Sequence, residues 1–393
     1  MCVKFATPIV ARTTSTSVFP LSLLCLSQSW GGLELNTVRF GAWMQQRGWP
    51  VQLITTPNSP IAVRAAELKL PVVVLRNPWK AVDIPAASRL TQLLRCFNTQ
   101  VLIITRNGDL GLAVLCKTLW LPKLRLVYQQ HMQLGLAKRG LVHTLRYRAL
   151  DAWLSPLPGL AKEVVAKTRL PASSLHVIPL GIELDKFAHC ELTQAQARVR
   201  LDLVIPPNAL LLGLVGRFDD GKGQDFVVQA LAKLHLQYPH LHLLLVGEST
   251  RNKDNSYREA VLAQVQNLGL SEVVHVRAFT FQPEVAYRAL DISITASVNE
   301  TYGMVTIEAM ASGLPVIASA TGGTLEIIDD GRTGLLFPLR DETKFVDAVE
   351  QLLQLPKFAK QLGQQAQVEA VATYSHHHQC ELTEKVLYDL VGR

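Results

Sequence analysis

The chain has 393 residues, 48% of them hydrophobic and 18% charged, which excludes an intrinsically disordered protein and supplies apolar material for two domains. Its net charge of +7 conceals an asymmetry: residues 1–182 carry 21 Lys and Arg against 6 Asp and Glu (+15), and residues 183–393 carry 18 against 26 (−8). So basic a first half expects an anionic partner, whether a lipid surface, a phosphorylated substrate or nucleic acid.

Residues 1–16 read as a loose extension. Val18–Leu26 resembles the apolar core of a signal peptide, but "SQSWGG" after it is a poor cleavage site and a helical pattern follows, so the segment predicts a first buried strand. Short apolar runs then predict strands at Val51–Thr55, Val72–Leu75, Val101–Thr105, Arg125–Tyr128, Ala152–Ser155 and His176–Pro179. Helical spacing fits Leu33–Gln46, Ile84–Phe97 and Gly159–Ala166. The second half repeats the theme. Strands fit Leu210–Val215, Leu241–Val246, Val273–Arg277, Ile292–Ala296, Pro315–Ala318 and Gly334–Phe337. Helices fit Asp225–Gln237, Tyr257–Leu268, Pro283–Leu290, Met304–Ala311 and Glu342–Leu353.

Continuous apolar strands separated by helices predict parallel sheets covered on both faces. The fold class is therefore α/β, with two Rossmann-like β/α/β domains facing a central cleft. The first spans residues 1–182 and the second 183–375, with a hinge near Gly181–Phe187. A last helix, about Gln379–Leu390 within residues 376–393, is free to pack back on the first domain. The six cysteines are scattered with no CxxC, which fits free thiols in a cytosolic protein better than a disulfide framework. No apolar run reaches the roughly 18 residues that span a membrane.

Three loops at strand ends carry the chemistry of the second half. "GRFDDGKG" (216–223) lies between a strand and a helix, with Arg217 and Lys222 beside Gly221 and Gly223. Two cations and helix-start N–H groups suit a diphosphate; a plain turn with solvated charges fits equally well. Gly223 stands where a P-loop needs a hydroxyl, and no G-x-G-x-x-G occurs. In "ETYGMVTIEAMAS", Glu300 falls in a loop and Glu308 in a helix among Ile307, Ala309, Val305 and Met310. A carboxylate there needs hydrogen-bond donors, such as ligand hydroxyls, or else a wet helix face. Gly322 and Gly323 punctuate a third loop. In the first half, Gly31 and Gly32 open the first helix, and His131 follows the strand Arg125–Tyr128.

These stretches together resemble the retaining GT-B glycosyltransferases of family 4: "GGLE" at 31–34, "HVIPLGIELDKF" at 176–187, "GRFDDGKG" at 216–223, "ETYGMVTIEAMASGLPVIAS" at 300–319 and "GGTLEIIDDGRTGLLFP" at 322–338. The resemblance implies a first domain that binds the acceptor and a second that binds a nucleotide-sugar donor. It implies transfer of a hexosyl unit to a glycan, glycolipid or lipid-linked acceptor in cell-surface polysaccharide or lipopolysaccharide synthesis. By the same resemblance Arg217 and Lys222 hold the diphosphate and Glu300 binds sugar hydroxyls. Glu308 binds the ribose, and Gly303, Met304 and Val305 face the diphosphate and sugar. His131 lies near the sugar, and Gly31 and Gly32 near the phosphates and acceptor. No D-x-D occurs, so no metal or other cofactor is expected. A nucleotide-sugar epimerase and a non-catalytic nucleotide-sugar-binding subunit are the competing expectations.

Residues 135–150 read as a basic amphipathic helix, with Lys138, Arg139, Arg146 and Arg148 beside Leu136, Leu141, Val142, Leu145 and Leu150. Trp79, Lys80, Arg89 and Arg95 extend the same basic character. An ordinary half-buried helix and a peripheral contact with anionic membrane, from the cytoplasmic side, both fit. Nucleic acid is not expected, because no zinc-ligand spacing or aromatic RNA motif appears. His376–His378 reads as a solvated run near the last helix.

Overall fold

The first expected strand is Leu21–Cys25, with all five residues buried, and it lies in the interior of a sheet because apolar side chains point to both faces. The computed structural model describes residues 18–76, 83–250, 254–278, 280 and 282–392. The N-terminal extension 1–16, Trp79 and Lys80 lie outside these described residues.

Two sheets form, and every strand pair is parallel. The first contains β1 (Leu21–Cys25), β2 (Val51–Thr55), β3 (Val72–Val74), β4 (Val101–Ile104), β5 (Arg125–Gln129), β6 (Ala152–Ser155) and β7 (Leu175–Val177), in the order β3-β2-β1-β4-β5-β6-β7. The second contains β8 (Leu210–Val215), β9 (Leu241–Val246), β10 (Val274–Arg277), β11 (Ile292–Thr295), β12 (Val316–Ser319) and β13 (Leu335–Phe337), in the order β10-β9-β8-β11-β12-β13. Each expected strand is present, with ends shifted by a few residues. Two Rossmann-like α/β units are therefore what the alternating pattern builds.

Some helices escaped the pattern. Leu110–Leu119 is apolar on nearly every side and so shows no period, while Pro356–Thr373 is rich in Gln and Ala with a weak apolar stripe. The segment 135–150 is helical only over Leu141–Arg148. The last helix begins earlier than expected, at His376, where the Ser375 side chain accepts from the His378 N–H. His376 is not a merely solvated residue: its ring lies 5.0 Å from that of Trp43.

The chain crosses between the two sheets twice, and the crossings lie side by side. Ile182 N–H donates to the Tyr374 carbonyl at 2.9 Å, and His376 N–H to the Ile182 carbonyl at 3.0 Å. Gly181 is required there, since a Cβ would lie 2.5 Å from the His376 Cα. Beyond the second crossing, helix His376–Val391 packs against the first sheet's layer. Glu384 takes two hydrogen bonds from Arg47, each 2.7 Å, and one from the Trp49 indole at 3.0 Å. Cys380, Val386 and Leu387 share a core with Phe19, Trp43 and Trp49.

Candidate active site

In the second sheet the chain runs outward from β8 to β10 on one side and from β11 to β13 on the other. The loops leaving β8 and β11 diverge at that point, which is where open α/β sheets hold ligands. The β8 loop is 216–223 and the β11 loop is 296–303. Val298 N–H donates to the Gly221 carbonyl at 2.8 Å and joins them. Gly223 takes φ 82°, and a Cβ on it would lie 2.3 Å from the Ala296 carbonyl oxygen, so two backbones meet where only glycine fits. The third glycine loop supports the second: Gly323 N–H donates to the Glu300 carbonyl at 2.7 Å.

Lys222 and Glu300 are brought together. Lys222 Nζ donates to Glu300 Oε2 at 2.8 Å, and Ser297 Oγ donates to the same oxygen at 3.0 Å. Arg217 is turned elsewhere: its Nη1 donates to Thr250 Oγ1 at 2.9 Å and its Nε lies 3.4 Å from Asp219 Oδ2. Each cation of the β8 loop is thus matched by a carboxylate. A doubly charged diphosphate in this crevice would compete for both cations and free Glu300 to accept from hydroxyls.

Glu308 sits in helix Met304–Ala311, which Gly303 opens with φ 98°. Its side chain is not on a wet face: the residue is 9% exposed. Tyr287, at 3.0 Å, is its one side-chain hydrogen-bond partner among the described residues. The Tyr287 hydroxyl also lies 3.1 Å from the Val305 carbonyl, so its single proton is shared. Burial pushes the Glu308 carboxyl above the usual carboxylate range, while Arg39, from the first domain, and Tyr287 act against that rise. A buried carboxylate with one shared donor is suited to ligand hydroxyls. Met304 and Val305 open the same helix, where N–H groups lack carbonyl partners one turn back.

The first domain adds His131, Gly31 and Gly32. The His131 Nε2 is enclosed without a hydrogen-bond partner among the described residues, and burial pushes the ring's pKa down to about 4. The imidazole is therefore neutral near pH 7. Gly31 has φ −169°, which any residue adopts, and a Cβ at Gly32 would meet nothing within 4 Å. The fold does not demand glycine at Gly32, so the space above it is open.

Two contacts close the cleft. The amides of Gln133 and Asn299 exchange hydrogen bonds of 2.9 and 3.2 Å. Glu326 Oε2 accepts from the Gly159 N–H at 2.7 Å, at the start of helix Pro158–Lys167. Sequence reasoning missed Tyr287, Arg39, Ser297, Gln133 and Asn299 as site residues. Only Ser297 and Asn299 carried a signal, lying beside Glu300 in "SVNE".

This fold and crevice define a GT-B protein. A glycosyltransferase from Rickettsia africae superposes with a TM-score of 0.85 at 15% identity, covering 95% of this chain and 99% of that one. HepE of Anabaena, solved with UDP and glucose, superposes with a TM-score of 0.80 at 19% identity, covering 93% and 98%. The model described as "Glycosyltransferase Family 4" matches residues 30–186, and that described as "Glycosyl transferases group 1" matches residues 196–369. The chain belongs to the family 4 GT-B glycosyltransferases. It is 32% identical over 222 residues to the D-inositol 3-phosphate glycosyltransferase of Corynebacterium jeikeium, 55% of this chain and 52% of that protein. The match thus spans about half that relative's length. To the Frankia alni protein of the same name it is 28% identical over 378 residues, 85% and 88% of the two chains.

Proposed function

We propose that the protein transfers a hexosyl unit, with retention, from a nucleotide-diphosphate sugar to a glycan, glycolipid or lipid-linked acceptor, in cell-surface polysaccharide or lipopolysaccharide synthesis. The observation that carries this reading is the Lys222–Glu300 pair at the β8/β11 crevice. In this reading Lys222 and Arg217 turn to the diphosphate and Glu300 to the sugar hydroxyls. Glu308 takes the ribose hydroxyls. The N–H groups of Met304 and Val305, after the Gly303 bend, face the diphosphate. His131, neutral, hydrogen-bonds the sugar from the first domain. Gly31 and Gly32 leave room for the phosphates and acceptor.

The reaction breaks the bond from the anomeric carbon to the β-phosphate oxygen. It forms a bond from that carbon to the acceptor oxygen on the same face. The acceptor proton passes to the leaving phosphate oxygen. Negative charge gathers on the diphosphate, where fixed cations stabilise the transition state without a metal. Relatives named as glycosyltransferases favour transfer over epimerisation or mere binding. Some of them are named for an inositol phosphate acceptor, so phosphorylated polyols join the acceptors to be tried. The protein acts from the cytoplasm.

A panel of UDP-, GDP-, ADP- and TDP-sugars tests the donor, since a ligand that binds only the folded state raises Tm. One sugar nucleotide is expected to stabilise the chain and to yield an α-configured product from an α-configured donor. Stabilisation by none, or an inverted product, contradicts the reading. UDP-sugars come first, because HepE holds UDP and glucose.

A further inference from the structure

The segment after His131 is amphipathic the wrong way round for a packed helix. Helix Leu141–Arg148 buries Thr144 and Tyr147 and turns Leu141, Val142 and Leu145 outward, at 74%, 59% and 58% exposure. In the loop before it, Met132 and Leu136 are 65% and 83% exposed. An ordinary half-buried helix keeps its leucines inward, and a soluble surface scatters such residues singly rather than in a cluster. Between His131 and Leu150 there is no acidic residue, while Lys138, Arg139, Arg146 and Arg148 are interspersed along the chain with the apolar residues. The loop is pinned in place: Lys138 N–H donates to the Lys167 carbonyl at 2.7 Å, and the Arg139 guanidinium to the Ala166 carbonyl at 2.7 Å.

We propose that this basic segment, with its outward apolar side chains, docks on an anionic lipid bilayer. Leu136, Leu141, Val142, Leu145 and Met132 enter the interface, and the four cations meet headgroup phosphates. Charge selects this occupant. A second copy docking through the same face would set like charges together, and a neutral surface would leave the cations unanswered. Docking also orients the molecule. Gln133 touches Asn299, next to Glu300, and the three residues from Gln133 to Leu136 span about 11 Å at most. The mouth of the cleft is thereby held close to the bilayer. The use made of that orientation, reaching a lipid-borne acceptor, rests on the proposed transfer activity; the docking itself does not.

The test is co-sedimentation of the full chain with phosphatidylcholine vesicles and with vesicles that also contain phosphatidylglycerol, at low and high salt. Binding to the anionic vesicles is expected, falling about tenfold or more at high salt as the headgroup charge is screened. The double variant Leu141→Asp/Leu145→Asp is expected to keep its circular dichroism and to bind about tenfold or more weakly. Leu136→Ser, in the loop, gives a milder loss and serves if the double variant fails to fold. Equal binding to both vesicle types, or variants that bind like the parent, overturns the proposal. So does a parent that ignores vesicles and instead forms a dimer that the variants dissociate. Sugar-nucleotide stabilisation, measured on the same samples without lipid, reports separately on the transfer reading.

Discussion

Gln133 and Asn299 hold each other across the cleft by two amide hydrogen bonds, 2.9 and 3.2 Å long. One stands two residues after His131 and the other directly before Glu300. The contact therefore ties the segment that follows His131 in the first domain to the loop that carries Glu300 in the second. Because both amides are exposed, each bond is worth about 0.5–1.5 kcal/mol. Gln133→Ala should lower kcat/KM by roughly threefold to tenfold and leave Tm almost unchanged. Steady-state kinetics beside a thermal melt check this; a large fall in Tm with unchanged kinetics would show a purely structural contact.

Two glycines should answer mutation in opposite ways. Gly223→Ala places a Cβ 2.3 Å from the Ala296 carbonyl oxygen at φ 82°, and should cost about 1–3 kcal/mol or more in stability. Gly32→Ala meets nothing within 4 Å and should fall within about 0.5 kcal/mol of the parent. The larger Gly32→Val should fold as well yet lose activity about tenfold, because it fills the space left for substrate. Chemical denaturation and initial rates separate the two.

Glu308 should trade stability for function. Its folded pKa is raised by burial above the value of 4.5, so the folded state holds a proton that the unfolded state releases. Its stabilising share is complete below the unfolded pKa and is lost as pH rises through the folded pKa. Glu308→Gln, which cannot ionise, should therefore melt higher than the parent at neutral pH, and the gap should close below about pH 4.5. Donor affinity should fall about tenfold or more, since a neutral amide accepts more weakly than a carboxylate. A Tm-against-pH series with donor titrations decides it.

His131 should have the opposite sign in the acid range. Burial lowers its pKa from 6.5 to about 4, so the unfolded state binds the extra proton first. Stability then rises with pH between about 4 and 6.5 and is lost as pH falls through that window. His131→Asn should flatten this part of the stability profile. At pH 7 the same variant should lower kcat by about tenfold or more, if the neutral ring touches the sugar.

Much of the scaffold was legible because parallel strands buried on both faces announce themselves as short apolar runs: Leu210–Val215 and Leu241–Val246 form over the expected residues. Glu300 and Lys222 were legible because charged residues in glycine loops at strand ends stand out. The partners were not. Tyr287 reads as one more core residue of a short helix, and Arg39 as a surface cation, until folding sets them by Glu308. The Gln133–Asn299 pair joins positions 166 residues apart, which no local pattern records. The segment 135–150 left two readings open: its composition gave the basic amphipathic character, but only packing decides between a half-buried helix and an apolar face turned outward, and it leaves Leu141, Val142 and Leu145 outside.

The central claim, that the β8/β11 crevice holds a sugar nucleotide with Glu300 on the transferred sugar, is tested most directly by Glu300→Ala. Among the described residues the side chain hydrogen-bonds Lys222 and Ser297, in a crevice rather than a core, so the variant should fold. With the donor and acceptor identified by the panel, its transfer rate should fall by at least about a hundredfold while the nucleoside diphosphate still raises its Tm. A folded Glu300→Ala protein that turns over at the parent's rate would contradict the account.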